Sequence, residues 1–135
     1  MPFAELTALA TRRGDDEIIK DVEAAGVEAT LDRVFAAMVK GFQPDRAGST
    51  KATVQWDVTA PDGKYSYHMD IDAGTCTFAR GPAEKPRSTL GLSLPDFLRF
   101  IAGELKTMKA FMTRRLHVKG DLPFAQAHEK FFIRG

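Results

Sequence analysis

The feature that most constrains this chain is the alternation in residues 50–80. In TKATVQWDVTA, Ala52, Val54, Trp56 and Val58 alternate with Lys51, Thr53, Gln55 and Asp57. A period of two fits an extended strand, whose successive side chains point to opposite faces. After the turn Pro61-Asp62-Gly63, KYSYHMDID repeats the pattern with Tyr65, Tyr67, Met69 and Ile71 on one face, and a turn at Gly74 leads into TCTFAR. Connections this short join antiparallel neighbours. The loop GPAEKPR precedes a fourth run, STLGLSL, with Leu90, Leu92 and Leu94 inward. Every run is apolar on one side and polar on the other. That predicts a sheet with one face covered by helices and one face wet.

The covering helices are legible from a period near 3.6. Val27, Leu31, Val34, Phe35, Met38, Val39 and Phe42 form one stripe, stopped by Gly41 and Pro44. Pro95 and Asp96 open a second helix, with Leu94, Phe97, Leu98, Ile101 and Leu105 as its stripe and Phe100 off it. Arg115–Lys119 reads as a short fifth strand with Leu116 and Val118 inward. Gly120 ends it, and Asp121 caps a last helix that carries Phe124, His128, Phe131 and Phe132 on one face. Ahead of all this, residues 3–13 and Asp15–Ala24 read as two short helices punctuated by Gly14 and Gly26. The expected organisation is an N-terminal helical extension, 1–26, and one α+β domain, 27–135.

Function classes narrow by charge and by what is missing. The net charge is +1, so no global field draws in nucleic acid. The segment GELKTMKAFMTRRLHVKGD, 103–121, is locally different: Leu105, Met108, Phe111 and Met112 stand among Lys106, Lys109, Arg114, Arg115 and Lys119. No acid lies between Glu104 and Asp121. A membrane contact, a nucleic-acid site, a lipid pocket and an ordinary core are each compatible with that mixture, although aromatic residues suited to stacking bases are missing among the basic ones. Cys76 is the single cysteine, which fits a reducing compartment. The N-terminus lacks the charge order of a secretory signal, and the last residues, Ile-Arg-Gly, are not a peroxisomal address, so a cytoplasmic protein is expected.

No nucleophile–base pair, phosphate loop or zinc motif is present. His68, Asp70 and Asp72 share a parity that a metal site can use, but it is opposite to Tyr67 and Met69 and belongs to the wet face. His128 lies in an apolar stripe without a recognisable partner. Neither a catalytic residue, a metal nor a cofactor is expected. Met108, Phe111, Met112, Phe124, Phe131 and Phe132 add more apolar bulk than a one-sided five-stranded sandwich needs. Methionines adapt to variable apolar ligands, so a cavity is one reading of that excess and a filled core is the other.

Residues 88–132 resemble the C-terminal half of the sterol carrier protein 2 family. Ser93, Asp96, Phe97, Ala110, Phe111, Met112, Lys119, Gly120 and Asp121 stand at the matching positions, and the order of the pieces matches too. The resemblance extends more weakly back to about Val27. It departs at Arg114, where the family often has glycine. It implies a mixed five-stranded sheet with helices over one face and an apolar tunnel that binds sterols, fatty acids, acyl-CoA thioesters or phospholipids. On this basis the expected lining is Phe35, Met38, Trp56, Phe97, Ile101, Met108, Phe111, Met112, Phe124 and Phe131. Lys106, Lys109 and Arg114 become a basic rim for an anionic headgroup or membrane surface. Two alternatives stand beside this non-catalytic carrier. One is an interaction or dimerisation module with a filled core, including an accessory to an enzyme pathway. The other is an enzyme using the pocket as a chamber, with His128 or Tyr67 acting. The oligomeric state is open.

Overall fold

The computed structural model describes residues 14–132. The helix expected over 3–13 lies outside those residues. Helix α1, Asp15–Ala25, begins with three acids, Asp15, Asp16 and Glu17, where the helix dipole favours negative charge. It buries Ile18 and Val22, one turn apart, and both belong to the same hydrophobic core as the sheet. Gly26 breaks the chain at φ 95° before helix α2, Val27–Lys40. Helix α2 buries Leu31, Val34, Phe35 and Met38, the stripe expected of it. A single turn, α3, spans Pro44–Ala47.

Strands β1 (Lys51–Ala60), β2 (Gly63–Asp72) and β3 (Thr75–Arg80) form the antiparallel meander. The turn between β2 and β3 needs positive φ at both central residues, Ala73 (46°) and Gly74 (97°). That backbone matches the twist of the flanking strands. Strand β4, Ser88–Ser93, lies beside β1 and parallel to it. Strand β5, His117–Gly120, pairs antiparallel with β4, giving the order β3-β2-β1-β4-β5. The sheet is therefore mixed. Residues 81–87 carry the chain from the β3 edge to the far side of β1. Ala83 N donates to the side chain of Gln55, a polar-face residue of β1, and Arg87 N donates to Thr53 O, which ties this crossing down.

Helices α4 (Leu94–Ile101), α5 (Thr107–Met112) and α6 (Leu122–Ala127), with a 3₁₀ turn at His128–Phe131, complete the chain. Helices and sheet share one core on the face that carries Val54, Trp56, Val58, Tyr67, Met69, Leu90 and Leu92. Four local expectations need correction. The fifth strand runs His117–Gly120 and not Arg115–Lys119, so buried Leu116 precedes it. Leu94 opens α4, because Ser93 already accepts from Asp96 N as the helix cap. The last helix divides after Ala127, so Phe131 and Phe132 are not on one continuous helical face. Phe100 is buried, since α4 is packed against the sheet and against α1, leaving only Asp96 and Arg99 partly exposed.

Candidate functional site

One rung of the sheet supplies the floor. Trp56, on the central strand β1, faces Tyr67 on one side and Leu90 on the other, and Val118 extends the rung to the edge. Period-two alternation puts all four on the helix-covered face. Phe35 from α2 lies over them, stacked on Tyr67 at 4.4 Å between ring centres. Its ring is also 5.4 Å from Phe97 and 6.3 Å from Trp56. Helix α4 brings Phe97 and Phe100 edge-on to the indole at 5.6 and 5.8 Å. The C-terminal turn adds His128 at 6.0 Å. His128 in turn stacks on Phe124, which meets Phe131.

Of the ten residues expected to line a pocket, Phe35, Trp56 and Phe97 are thus in mutual contact. Phe124 and Phe131 join them through His128, and Met38 and Ile101 belong to the same core. Phe111 is half-buried, while Met108 is 38% and Met112 75% exposed. Helix α5 turns a different face inward than bulk alone suggests. It buries Thr107 and Ala110, one turn apart, just after buried Leu105. Thr107 Oγ1 donates to Glu129, and the small Ala110 lets the helix lie close to the body. Sequence reading passed over Phe100 and the central place of His128. The available signal for Phe100 was a helix apolar nearly all round.

Polar groups at the margins are paired. Tyr67 Oη donates to Asp32 Oδ1 at 2.6 Å, and Arg80 binds both Asp32 and Glu28. Burial, then the bond to Asp32, pushes the Tyr67 hydroxyl well above its ordinary range, so it stays a donor at neutral pH. His128 Nδ1 lies 2.7 Å from Ala125 O. Burial pushes the Cys76 thiol up to about 11, an inert state for a cysteine. His68, Asp70 and Asp72 each serve other partners: Gly81 O, Thr53 Oγ1 and Lys51. Among the described residues, the buried side-chain nitrogen or oxygen without a hydrogen-bond partner is Trp56 Nε1.

The expected basic rim divides. Arg114 joins Lys64, Arg115, His117 and Lys119 around a groove of about 470 Å³ that also carries Asp57, Thr89 and Ser93 from the polar face of the sheet. Lys106 and Lys109 are exposed on and beside α5, next to Met108 and Met112.

The family model described as the SCP-2 sterol transfer family matches residues 31–132. The chain belongs to that family. Hydroxysteroid dehydrogenase-like protein 2 of Bos taurus is 25% identical over 101 residues, 74% of this chain. The chain spans only about a quarter of that relative's length, 24%. Among solved structures, palmitated SCP2L2 from Aedes aegypti covers 80% of this chain and 96% of its own, with TM-score 0.60 and 20% identity. The stereoselective inverting sec-alkylsulfatase Pisa1 from Pseudomonas sp. covers 73% of this chain and 15% of its own, with TM-score 0.64 and 18% identity. At these identities both structures speak to fold alone.

The residues that carry the SCP-2 resemblance hold the scaffold together. Gly120 has φ 89°, and a Cβ there would lie 2.4 Å from Arg87 O. The following Asp121 caps α6 through Phe124 N and pairs with Arg87, whose guanidinium lies 4.1 Å from the centre of the Phe124 ring. Ser88, fully buried on β4, donates to Asp121 O. Asp96 receives Arg115 and Arg99, and Arg99 also reaches Asp15 on α1. Arg114, where the resemblance is expected to depart, sits at φ 62°, the left-handed region that favours glycine.

Proposed function

We propose that this domain binds an apolar small molecule, such as a sterol, fatty acid or acyl-CoA, between the sheet and its helical layer, and carries it without chemical change. Membership of the SCP-2 sterol transfer family carries this reading. The aromatic layer around Trp56 supports it, as does the palmitated state of the mosquito neighbour. Burial of a tail supplies sufficient driving force. Roughly 0.8 kcal/mol per CH₂ gives about 12 kcal/mol for a sixteen-carbon chain. Association and ordering take back on the order of 4–15 kcal/mol, so micromolar binding needs little help from the headgroup. Selectivity among chain lengths is correspondingly loose.

Met108 and Met112 stand exposed beside Lys106 and Lys109. That surface suits transient contact with an anionic bilayer, where each basic residue contributes about 1 kcal/mol. Transfer of labelled palmitate from vesicles containing phosphatidylglycerol tests both parts. The wild-type protein should accelerate transfer in a salt-dependent way. Lys106→Glu and Lys109→Glu together should slow it by on the order of tenfold or more. Unchanged transfer and unchanged salt dependence reject the electrostatic role; absence of any transfer or bound lipid rejects the carrier.

A second reading has its own support. The bovine and Pseudomonas proteins match over only 24% and 15% of their lengths, so relatives of this domain occur within longer proteins. The same fold with a filled core then serves as an interaction or dimerisation module. Sedimentation showing a dimer, with no lipid extractable from it, favours that alternative.

A further inference from the structure

Buried N–H groups in native proteins are nearly always paired, and one that is not calls for an explanation. Trp56 is 1% exposed, and its Nε1 has no hydrogen-bond partner. The residue is at the centre of the sheet, where the backbones of β2 and β4 already pair with that of β1. The aromatic side chains about the indole are Phe35, Phe97 and Phe100, which carry no lone-pair acceptor, and His128. His128 directs Nδ1 to Ala125 O. A ring face is a weak acceptor at best.

Resting on the lipid-binding function proposed here, we infer that Trp56 Nε1–H is the anchoring donor for a neutral oxygen of the bound molecule. Ligand oxygen and indole then meet at the middle of the sheet, not at the surface. The chemistry narrows the ligand class. A single neutral N–H does little by itself to offset desolvation of an ionised carboxylate or phosphate. A hydroxyl, ketone or ester carbonyl has a much smaller desolvation cost, and one good donor satisfies it. The ligand is therefore an apolar molecule with a neutral oxygen function. A pure hydrocarbon gains nothing from this donor. A fatty acid uses it only when protonated.

The chain contains one tryptophan, so a sample labelled with ¹⁵N at the indole gives a single Nε1–H resonance. The full chain is titrated with 1-hexadecanol, 2-hexadecanone or hexadecane, and native mass spectrometry reports binding independently. The alcohol and the ketone should move the indole proton downfield, and hexadecane should not. Trp56→Phe should weaken binding of the alcohol about three- to tenfold relative to hexadecane, the worth of one neutral hydrogen bond. Should Trp56→Phe fail to fold, replacing Trp56 with its benzothiophene analogue keeps the ring shape and exchanges N–H for sulfur. Alcohol binding with no change at the indole, or equal losses for alcohol and hydrocarbon, overturns this inference while leaving the carrier function standing. Failure of all three molecules to bind overturns both.

Discussion

A Cβ at residue 120 would collide with the Arg87 carbonyl at 2.4 Å while holding φ near 89°. The obstacle is backbone, which cannot rotate aside as a side chain would. Gly120→Ala should therefore cost on the order of 2–4 kcal/mol, read as a lowered midpoint in chemical denaturation. A loss below about 0.5 kcal/mol would show that β5 shifts freely at this point. At the residue scale the sequence was informative wherever a local rule acts alone. Asp121 as a cap, the Gly74 turn and the polar parity of His68 all follow from neighbours a few positions away. The need for glycine at 120 was not legible, because Arg87 is distant in sequence. The unpartnered indole nitrogen was invisible for the same reason. Which groups surround Trp56 depends on α4 and the C-terminal turn together.

Helix α5 separates its buried contacts from the exposed residues of the proposed docking surface at the scale of an element. Its buried contacts are Thr107 and Ala110, whereas Met112 is 75% exposed. Met108→Ser with Met112→Ser should change stability by less than about 0.5 kcal/mol, as surface changes usually do. The same pair should slow transfer of labelled palmitate from anionic vesicles severalfold; equal rates would remove α5 from the docking surface. In α1, Ile18 is fully buried in the common core, so Ile18→Ala should cost about 2–5 kcal/mol by thermal or chemical denaturation. Strands were the most legible elements, since alternation and tight turns fix both face and pairing. Helix α5 was the least legible. In one and a half turns, a small alanine and a hydrogen-bonded threonine took the inward face in place of larger side chains.

For the whole molecule, acid stability follows from carboxylates held by cations and backbone donors. Asp32 is held below its ordinary value chiefly by Arg80. Burial raises Asp96, but Arg115 and Arg99 together outweigh it and bring its net value down. Asp121 is lowered first by the Phe124 N–H and then by Arg87. All three have folded values below that of an unpaired aspartate, about 3.9. As pH falls, the unfolded chain takes up these protons first. The stabilisation is complete above about pH 4 and is lost as pH drops through the folded values. Melting temperatures between pH 2 and 7 should show that decline, and Asp96→Asn should flatten part of it. An identical acid limb in wild type and variant would discount the Asp96 cluster.

The parallel pairing of β1 with β4 also sets an order in time. The meander β1–β3 closes through short turns and can form as soon as residue 80 is available. The second neighbour of β1 comes only after the 81–87 crossing, and Phe97, Phe100 and His128 later still. During synthesis α2 can cover the Tyr67 side of the half-built sheet, but the rest of its apolar face waits for the C-terminal third of the chain. Trp56 occupies its centre, so the indole is among the last groups to leave water. A nascent chain paused before β4 would present a wide, sticky ribbon, the species that chaperones are built to hold.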